Sequence, residues 1–130
     1  NELLKEWFSI LIEDIDIKLN QEFSPILIQN GYETDINNLS GGEKTSVALA
    51  YRLALNKVIN NMIKTIKSKD FIILDEPTDG FSTDMLDKVR DILEQMDMKQ
   101  VIIVSHEPKL ESMVENVIRI SKDDHVSSVV

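Results

Sequence analysis

The chain of 130 residues contains no cysteine, and only 4 of its residues are glycine and 3 are proline. The absence of cysteine excludes disulfides, thiolate metal ligands and a cysteine nucleophile. So few glycines and prolines leave little room for linkers. We therefore expect one compact unit, which is long enough to bury a core of its own.

Long apolar runs and a surplus of positive charge are also missing. No segment approaches the length that spans a bilayer, and the first residues lack the pattern of a signal peptide, so we expect a cytoplasmic protein with no membrane partner. The formal net charge of −9 argues against a DNA-binding surface on this segment itself. The chain begins with Asn1 rather than Met, which suggests a piece of a longer polypeptide.

The spacing of apolar residues predicts several helices. Steps of three and four predict an amphipathic helix over residues 1–20 and a long helix from Gly42 to about Lys67. Ser82 can cap a third helix, whose apolar stripe runs through residues 85–96. Pro108 can open a short fourth one.

Other stretches predict strands. Asn30-Gly31 between two apolar runs predicts a hairpin. The unbroken apolar runs at 71–74 and 101–104 predict strands of a parallel sheet covered on both faces, joined by a right-handed helical crossover. Two more strands are predicted at 117–121 and 126–130. The chain is thus predicted to be α/β.

The stretch around the glycine pair is the first candidate site. Gly41 and Gly42 allow a tight backbone with exposed N–H groups, the following helix adds the positive end of its dipole, and the Ser40 hydroxyl adds a donor. This combination predicts an anion site. Ser40 and Glu43 also form a capping box that would start any helix, so by itself the stretch leaves both interpretations open.

Polar residues at the ends of the two buried runs form the second candidate site. Asp75 and Glu76 end one run and His106 follows the other, which places them at the carboxyl edge of a parallel sheet, where such folds bind ligands. Asp75 would hold Mg²⁺ on nucleotide phosphates, Glu76 would polarise an attacking water, and His106 would contact the terminal phosphate. Each is alternatively a solvated residue at a strand end or in a loop, which is also our interpretation of His125.

Three motifs occur together. Leu-Ser-Gly-Gly-Glu at 39–43, Ile-Leu-Asp-Glu-Pro-Thr at 73–78 and Val-Ser-His at 104–106 follow the order and spacing of the ATP-binding-cassette (ABC) superfamily. Within it, the chain resembles the C-terminal half of the ATPase head of the SMC-like, zinc-hook ATPases of DNA double-strand-break repair, the SbcC-like family. Glu43, Arg52 and residues 117–121 resemble this branch, whereas Asp-Glu-Pro-Thr differs from the Asp-Glu-Val-Asp of cohesin and condensin heads.

The resemblance implies an architecture. Residues 21–130 would be the C-terminal lobe of an ABC-type head, a mostly parallel sheet flanked by helices, and residues 1–20 a coiled-coil stub helix. The chain lacks the phosphate loop G-x-x-x-x-G-K-[ST] that a complete nucleotide site needs. In the family this loop lies in an N-terminal half, beyond a long coiled coil.

The resemblance also implies residue roles, with ATP and Mg²⁺ as ligands and zinc only in a distal hook outside this chain. Residues of the signature motif would contact ATP bound to the opposite subunit: Ser40, Gly41, Gly42 and Glu43. Asp75 would hold the metal, and Glu76 and His106 would serve catalysis. Lys44 and Arg52 would relay nucleotide state toward the coiled coil. The loop after the carboxylates, called the D-loop, would connect the two sites; it comprises Asp79, Gly80, Phe81 and Ser82, with Ser82 where the family usually has Asp.

By the same resemblance, the full-length protein would be a DNA-repair ATPase of the cytoplasm or nucleoid, or of the nucleus in a eukaryote. Its partners would be the N-terminal half of the head, a second head in an ATP-dependent homodimer, a nuclease, and DNA through the assembled complex. The chain alone would be inactive. Two alternatives share the motifs: an SMC-type head that tethers chromosomes, and an ATPase subunit of an ABC transporter.

Overall fold

The structure is a computed structural model that describes residues 2–62, 70–96 and 98–130. Over these residues the fold is α/β, as predicted. The α-helices are α1 (Glu2–Leu11), α2 (Gly41–Met62) and α3 (Thr83–Gln95), and two 3-10 segments lie at Ile36–Asn38 and Pro108–Met113.

The strands form three small sheets. An antiparallel meander contains β1 (Ile15–Leu19), β2 (Pro25–Gln29) and β3 (Tyr32–Thr34). A parallel pair contains β4 (Phe71–Asp75) and β5 (Gln100–Val104), and a C-terminal hairpin contains β6 (Ile120–Asp123) and β7 (Val126–Val129).

The first helix is much shorter than predicted. It ends at Leu11, and the expected helix over residues 1–20 is therefore wrong in its second half, where β1 lies. Ile15, Ile17 and Leu19 alternate with Asp16 and Lys18, a period of two that suits a strand, and β-branched isoleucine favours one too. All 5 residues of β1 pair with β2, so tertiary pairing decides the outcome.

The predicted hairpin is confirmed. Gln29 and Tyr32 face each other across Asn30-Gly31 at the end of β2 and β3. Both turn residues have positive φ, +51° at Asn30 and +81° at Gly31, as two-residue hairpin turns of this type require.

The core lies where α1, α2 and α3 meet β1 and β4. Leu4, Trp7, Phe8 and Leu11 bury one face of α1. The first half of α2 is buried through Val47, Leu49, Ala50, Leu53 and Ala54. The second half exposes Leu55, Val58, Ile59 and Met62. The predicted end of this helix near residue 67 lies outside the described residues.

The parallel pair is confirmed, with Asp75 opposite Val104 in the register. Its crossover helix α3 begins as predicted, because the Ser82 hydroxyl accepts a hydrogen bond from the Met85 N–H at 3.3 Å. Among the described residues one face of the pair is exposed, which differs from the expected burial on both faces. Ile72 and Leu74 face the core, whereas exposed apolar side chains lie on the other side: Phe71, Ile73, Ile102 and Val104.

The C-terminal part is largely exposed. The strands β6 and β7 confirm the predicted hairpin, although β6 begins at Ile120 rather than Val117. No helix among the described residues has the length and apolar character needed to cross a membrane.

Candidate functional site

The glycine pair begins a helix through a complete capping box. The Ser40 N–H donates to Oε2 of Glu43 at 2.7 Å, and the Glu43 N–H donates to Oγ of Ser40 at 3.3 Å. These hydrogen bonds from Ser40 hold the pKa of the Glu43 carboxyl below its ordinary value, so Glu43 stays ionised at the positive end of the helix. The local interpretation of Ser40 and Glu43 is therefore confirmed.

Two hydroxyls fix the glycine carbonyls. Oγ1 of Thr45 donates to the Gly41 carbonyl at 3.1 Å, and Oγ of the buried Ser46 donates to the Gly42 carbonyl at 2.9 Å. Ser and Thr side chains within a helix commonly make such bonds to the carbonyl four residues earlier. Thr45 and Ser46 were not predicted from the sequence; the available signal was the pair of hydroxyl residues four positions after the glycines.

The two glycines have different surroundings. A Cβ atom at Gly41 would meet nothing within 4 Å, and Gly41 is exposed. A Cβ at Gly42 would lie 2.8 Å from the carbonyl oxygen of Gly80, which is closer than real Cβ contacts. Gly80 itself has φ +76° and lies against the Gly42 backbone. Gly42 is thus required inside the chain, whereas nothing in the described residues requires Gly41.

The two carboxylates lie at the end of β4, as predicted. Asp75 is the last residue of the strand, and the Glu76 N–H extends the sheet by donating to the Val104 carbonyl at 2.8 Å. Glu76 has φ +44°, a left-handed conformation that is uncommon for residues other than glycine. This backbone directs the chain sharply away from the strand.

Both oxygens of the Glu76 carboxylate have partners from the end of β5. Nδ1 of His106 lies 3.0 Å from Oε1, and Oγ of Ser105 donates to Oε2 at 3.2 Å. The His106 hydrogen bond, with a smaller contribution from Ser105, holds the pKa of Glu76 below its ordinary value. Glu76 in turn raises the pKa of His106, and the negative charges of Asp79 and Glu107 add to this. The sequence predicted that Glu76 and His106 meet; it did not identify Ser105.

A shallow cavity of about 270 Å³ lies beside these residues, between the signature helix α2 and the end of β4. Three of its lining residues, Asp75, Glu76 and Asp79, are acidic, and Arg52 is the basic one. Thr45, Ala48, Leu49 and Pro77 complete the lining. Arg52 therefore borders the carboxylate site and is the basic residue of its lining.

The other predicted residues have structural contacts. Nζ of Lys44 donates to the Asn37 carbonyl at 3.2 Å, which ties α2 to the preceding 3-10 segment. The Phe81 side chain packs against the core, and its N–H donates to the Thr78 carbonyl at 3.0 Å. Ser82 caps α3. The Gly42–Gly80 contact thus joins the signature motif to the D-loop within one chain.

The donor set suits a magnesium ion only in part. Asp75 is exposed, and no hydrogen bond or ion pair joins its side chain to another described residue, so its carboxylate oxygens are available. No group of three or more His, Asp or Glu residues able to hold a metal occurs in the described part of the chain. Mg²⁺ typically takes one or two carboxylates and leaves its other positions to water and phosphates, and Asp75 fits that role.

Curated relatives are DNA-repair ATPases. The chain is 36% identical over 105 residues to a DNA double-strand break repair Rad50 ATPase of Thermococcus kodakarensis, covering 79% of this chain and 11% of that protein. It is also 36% identical over 116 residues to the Rad50 ATPase of Methanocaldococcus jannaschii, covering 87% of this chain and again 11% of the relative. The chain thus spans about a ninth of these relatives. No protein-family model matches it.

Solved structures show the same fold. A structure from a study of ATP-driven dimerisation and DNA-stimulated activation of SMC ATPases matches with a TM-score of 0.74 at 23% identity, covering 99% of this chain and 80% of that one. The SMC head domain from Thermotoga maritima matches with a TM-score of 0.67 at 22% identity, covering 100% of this chain and 46% of that one. These similarities confirm that the fold is that of part of an SMC-type ATPase head.

Proposed function

The chain is a relative of the SMC-like ATPases of DNA double-strand-break repair, and we propose that it is the C-terminal part of an ATP-binding and ATP-hydrolysing head of that kind. The observation that carries the proposal is the convergence of Asp75, Glu76 and His106 at the ends of two parallel strands. This is the edge at which open α/β sheets bind ligands.

In our proposal Glu76 acts as the general base. Its carboxylate is ionised and is held by two hydrogen bonds, so it is directed before a substrate arrives. A base of this kind takes a proton from a water as that water attacks a phosphoryl group. When Mg²⁺ accompanies the nucleotide, Asp75 is the residue that would hold it, and the ion would neutralise phosphate charge.

The signature motif is accessible to a second molecule. The capping box and the Thr45 and Ser46 hydroxyls fix the start of α2, while Gly41 remains open to solvent. The first amides of a helix and its dipole favour an anion at this place. In our proposal Ser40, Gly41 and Gly42 bind the ATP of a second head, so that nucleotide joins two heads.

The remainder of the head would come from an N-terminal half. Parallel sheets are normally buried on both faces, yet Ile73 is 51% exposed and Val104 is 51% exposed on the outer face of β4 and β5. The chain also lacks a phosphate loop. Both facts support a second segment that covers this face and supplies that loop. In this scheme α1 is the end of a coiled coil entering the head, now limited to Glu2–Leu11.

The curated relatives are named for double-strand-break repair, which supports a repair setting. We propose that the assembled protein acts at chromosomal DNA with a nuclease partner, and the net charge of −9 supports DNA contacts made mainly by other parts of the complex. An SMC-type tethering head is the second candidate, favoured by the fold similarity to SMC heads. The repair function is preferred because the sequence relatives are repair ATPases.

The test is the Glu76→Gln variant of the full-length protein. Glutamine keeps the size of the side chain but cannot accept the proton from water, so we expect ATP hydrolysis to fall by at least about 100-fold. ATP affinity and ATP-dependent dimerisation should stay within about twofold, because glutamine removes no binding group. Hydrolysis is measured as phosphate release and dimerisation by light scattering.

The 130-residue chain alone serves as a second control and should release no phosphate, because it has no phosphate loop. Turnover by that chain, or unchanged hydrolysis by the full-length Glu76→Gln variant, would contradict the proposal. If the variant instead lost ATP binding as strongly as hydrolysis, Glu76 would be a structural residue.

A further inference from the structure

Ser105 contacts Glu76 and precedes His106 in the sequence, but it has no role in the proposed function. It is the first residue after β5, is half-buried, and lies directly before His106. Its Oγ donates to Oε2 of Glu76 at 3.2 Å and accepts a hydrogen bond from the Glu107 N–H at 3.1 Å.

The second of these bonds orients the first. A hydroxyl has one proton, and an amide N–H that donates to Oγ leaves that proton free to point elsewhere. The Glu107 amide belongs to the backbone and cannot turn away without moving the chain. The Ser105 oxygen is therefore held by a backbone group while its proton is donated to Glu76, whereas the His106 side chain, 77% exposed, holds Oε1 from the surface.

The two partners of Glu76 thus differ in what they can do. If His106 turns toward the terminal phosphate of ATP, as the proposed function requires, Oε1 of Glu76 loses its partner and becomes available to a water. Oε2 keeps its hydrogen bond to Ser105. A carboxylate anchored through one oxygen presents the other in a restricted direction, which a freely rotating carboxylate does not.

We propose that Ser105 is a positioning residue for Glu76, which anchors Oε2 so that Oε1 faces the attacking water once His106 has moved to the nucleotide. This inference rests on the proposed function. The left-handed backbone at Glu76, with φ +44°, supports this role for Ser105. The backbone conformation is uncommon, and the hydrogen bond from Ser105 restricts the direction of the carboxylate that it carries.

The experiment compares three substitutions in the full-length protein. Ser105→Ala removes the hydroxyl, Ser105→Thr keeps it on a β-branched side chain, and Ser105→Val has the shape of threonine without the hydroxyl. We expect kcat for ATP hydrolysis to fall about tenfold in the alanine and valine variants, the size expected for a lost hydrogen bond to a charged group. The threonine variant should retain at least about half of the rate.

Two further readouts separate positioning from a structural role. The KM for ATP and ATP-dependent dimerisation should be unchanged in all three variants, because Ser105 contacts neither nucleotide nor partner in this scheme. Combining Ser105→Ala with Glu76→Gln should cause no further loss, since the hydroxyl acts only through Glu76.

Equal rates for the wild-type protein and Ser105→Ala would overturn the inference, and so would equal losses in the threonine and valine variants. In either case a large defect in Glu76→Gln would leave the proposed function intact. A Glu76→Gln variant that hydrolysed ATP normally would overturn the proposed function and this inference with it.

Discussion

Glu76 combines an uncommon backbone with a fully engaged carboxylate. Its N–H continues the hydrogen bonding of the parallel strands to Val104, its φ is +44°, and its two oxygens bond His106 and Ser105. The strand end, rather than a flexible loop, therefore sets the position of this group. Catalytic geometry held by rigid elements is more precise than geometry held by loops.

The His106–Glu76 ion pair predicts that the stability of the folded chain depends on pH. Glu76 raises the pKa of His106, so the stabilisation that His106 contributes is complete below its ordinary pKa and is lost as pH rises through the raised value. The pKa of Glu76 is lowered, so its contribution is complete above its ordinary value and is lost as pH falls through the lowered one. The ion pair is thus intact in a mildly acidic window and absent at both extremes.

NMR titration of the imidazole tests this prediction. The chain has 2 histidines, so a His125→Gln background leaves His106 as the one histidine signal. Glu76→Gln in that background should move the His106 midpoint to lower pH, because the charged partner is lost. The same midpoint with and without Glu76→Gln would show that the pair does not form in solution.

The sequence identified the main residues of this site but not Ser105, which hydrogen-bonds to Glu76. Asp75, Glu76 and His106 each follow an apolar run that ends at one sheet edge, so parallel pairing alone brings them together. Ser105 meets Glu76 across 29 residues of sequence, and the contact depends on the side-chain direction at a strand end. A periodic pattern contains no information about that direction.

At the scale of elements, the start of α2 and the turn between β4 and α3 are in direct backbone contact. The Gly42 backbone lies against Gly80, whose positive φ brings its carbonyl toward α2. Movement of either element must displace the other. This contact is the physical connection between the proposed signature and D-loop functions, and it does not involve Ser82, where the sequence differs from the family pattern.

The glycine pair provides a matched test of this contact. Gly42→Ala places a Cβ 2.8 Å from the Gly80 carbonyl oxygen and should lower the free energy of unfolding by about 1–3 kcal/mol. Gly41→Ala places its Cβ in open space and should not lower it, because alanine is the better helix former. Chemical denaturation of the full-length protein measures both.

Equal stabilities of the two variants would contradict the contact. The Gly41→Ala variant also tests function. If a second head binds at the exposed Gly41, this variant should weaken ATP-dependent dimerisation while its stability stays normal. Normal dimerisation of Gly41→Ala would leave the signature residues with their local role of starting α2.

Elements were predictable where local signals agreed with tertiary pairing. The Asn30-Gly31 hairpin and the Ser82 cap follow from short-range chemistry, and the parallel pair follows from two apolar runs joined by a helix. The segment Ile15–Leu19 fitted both a helical and a strand period, and pairing with β2 decided in favour of the strand. Burial of β4 and β5 on both faces was predicted from their unbroken apolar runs, but their outer face is exposed among the described residues.

At the scale of the whole molecule, the outer face of β4 and β5 is an exposed apolar surface opposite the core. Ile73 and Ile102 lie side by side in the register, and both are exposed. The proposed N-terminal half would cover this surface and complete the sheet. Burial of each large aliphatic side chain contributes about 1.5–3 kcal/mol.

Association of the two halves can be measured directly. Ile73→Asp should weaken binding of a separately produced N-terminal half by at least about tenfold, because the carboxylate would be buried without a partner. Tyr32→Asp is a matched control, since Tyr32 is 78% exposed on the separate antiparallel sheet. Isothermal titration calorimetry measures both affinities.

Unchanged affinity for Ile73→Asp, or an equal loss in Tyr32→Asp, would show that the N-terminal half binds elsewhere. The stability of the chain itself should be unaffected by Ile73→Asp, because Ile73 already faces solvent.

The exposed strand pair β4 and β5 affects the solubility of the chain. Within the described residues, β4 pairs only with β5, so each strand has an unpaired edge beside an apolar face. Unprotected edges of this kind are templates for self-association into extended sheets. The chain should thus self-associate as its concentration is raised when it is produced alone, and should do so less when it is co-produced with the proposed N-terminal half.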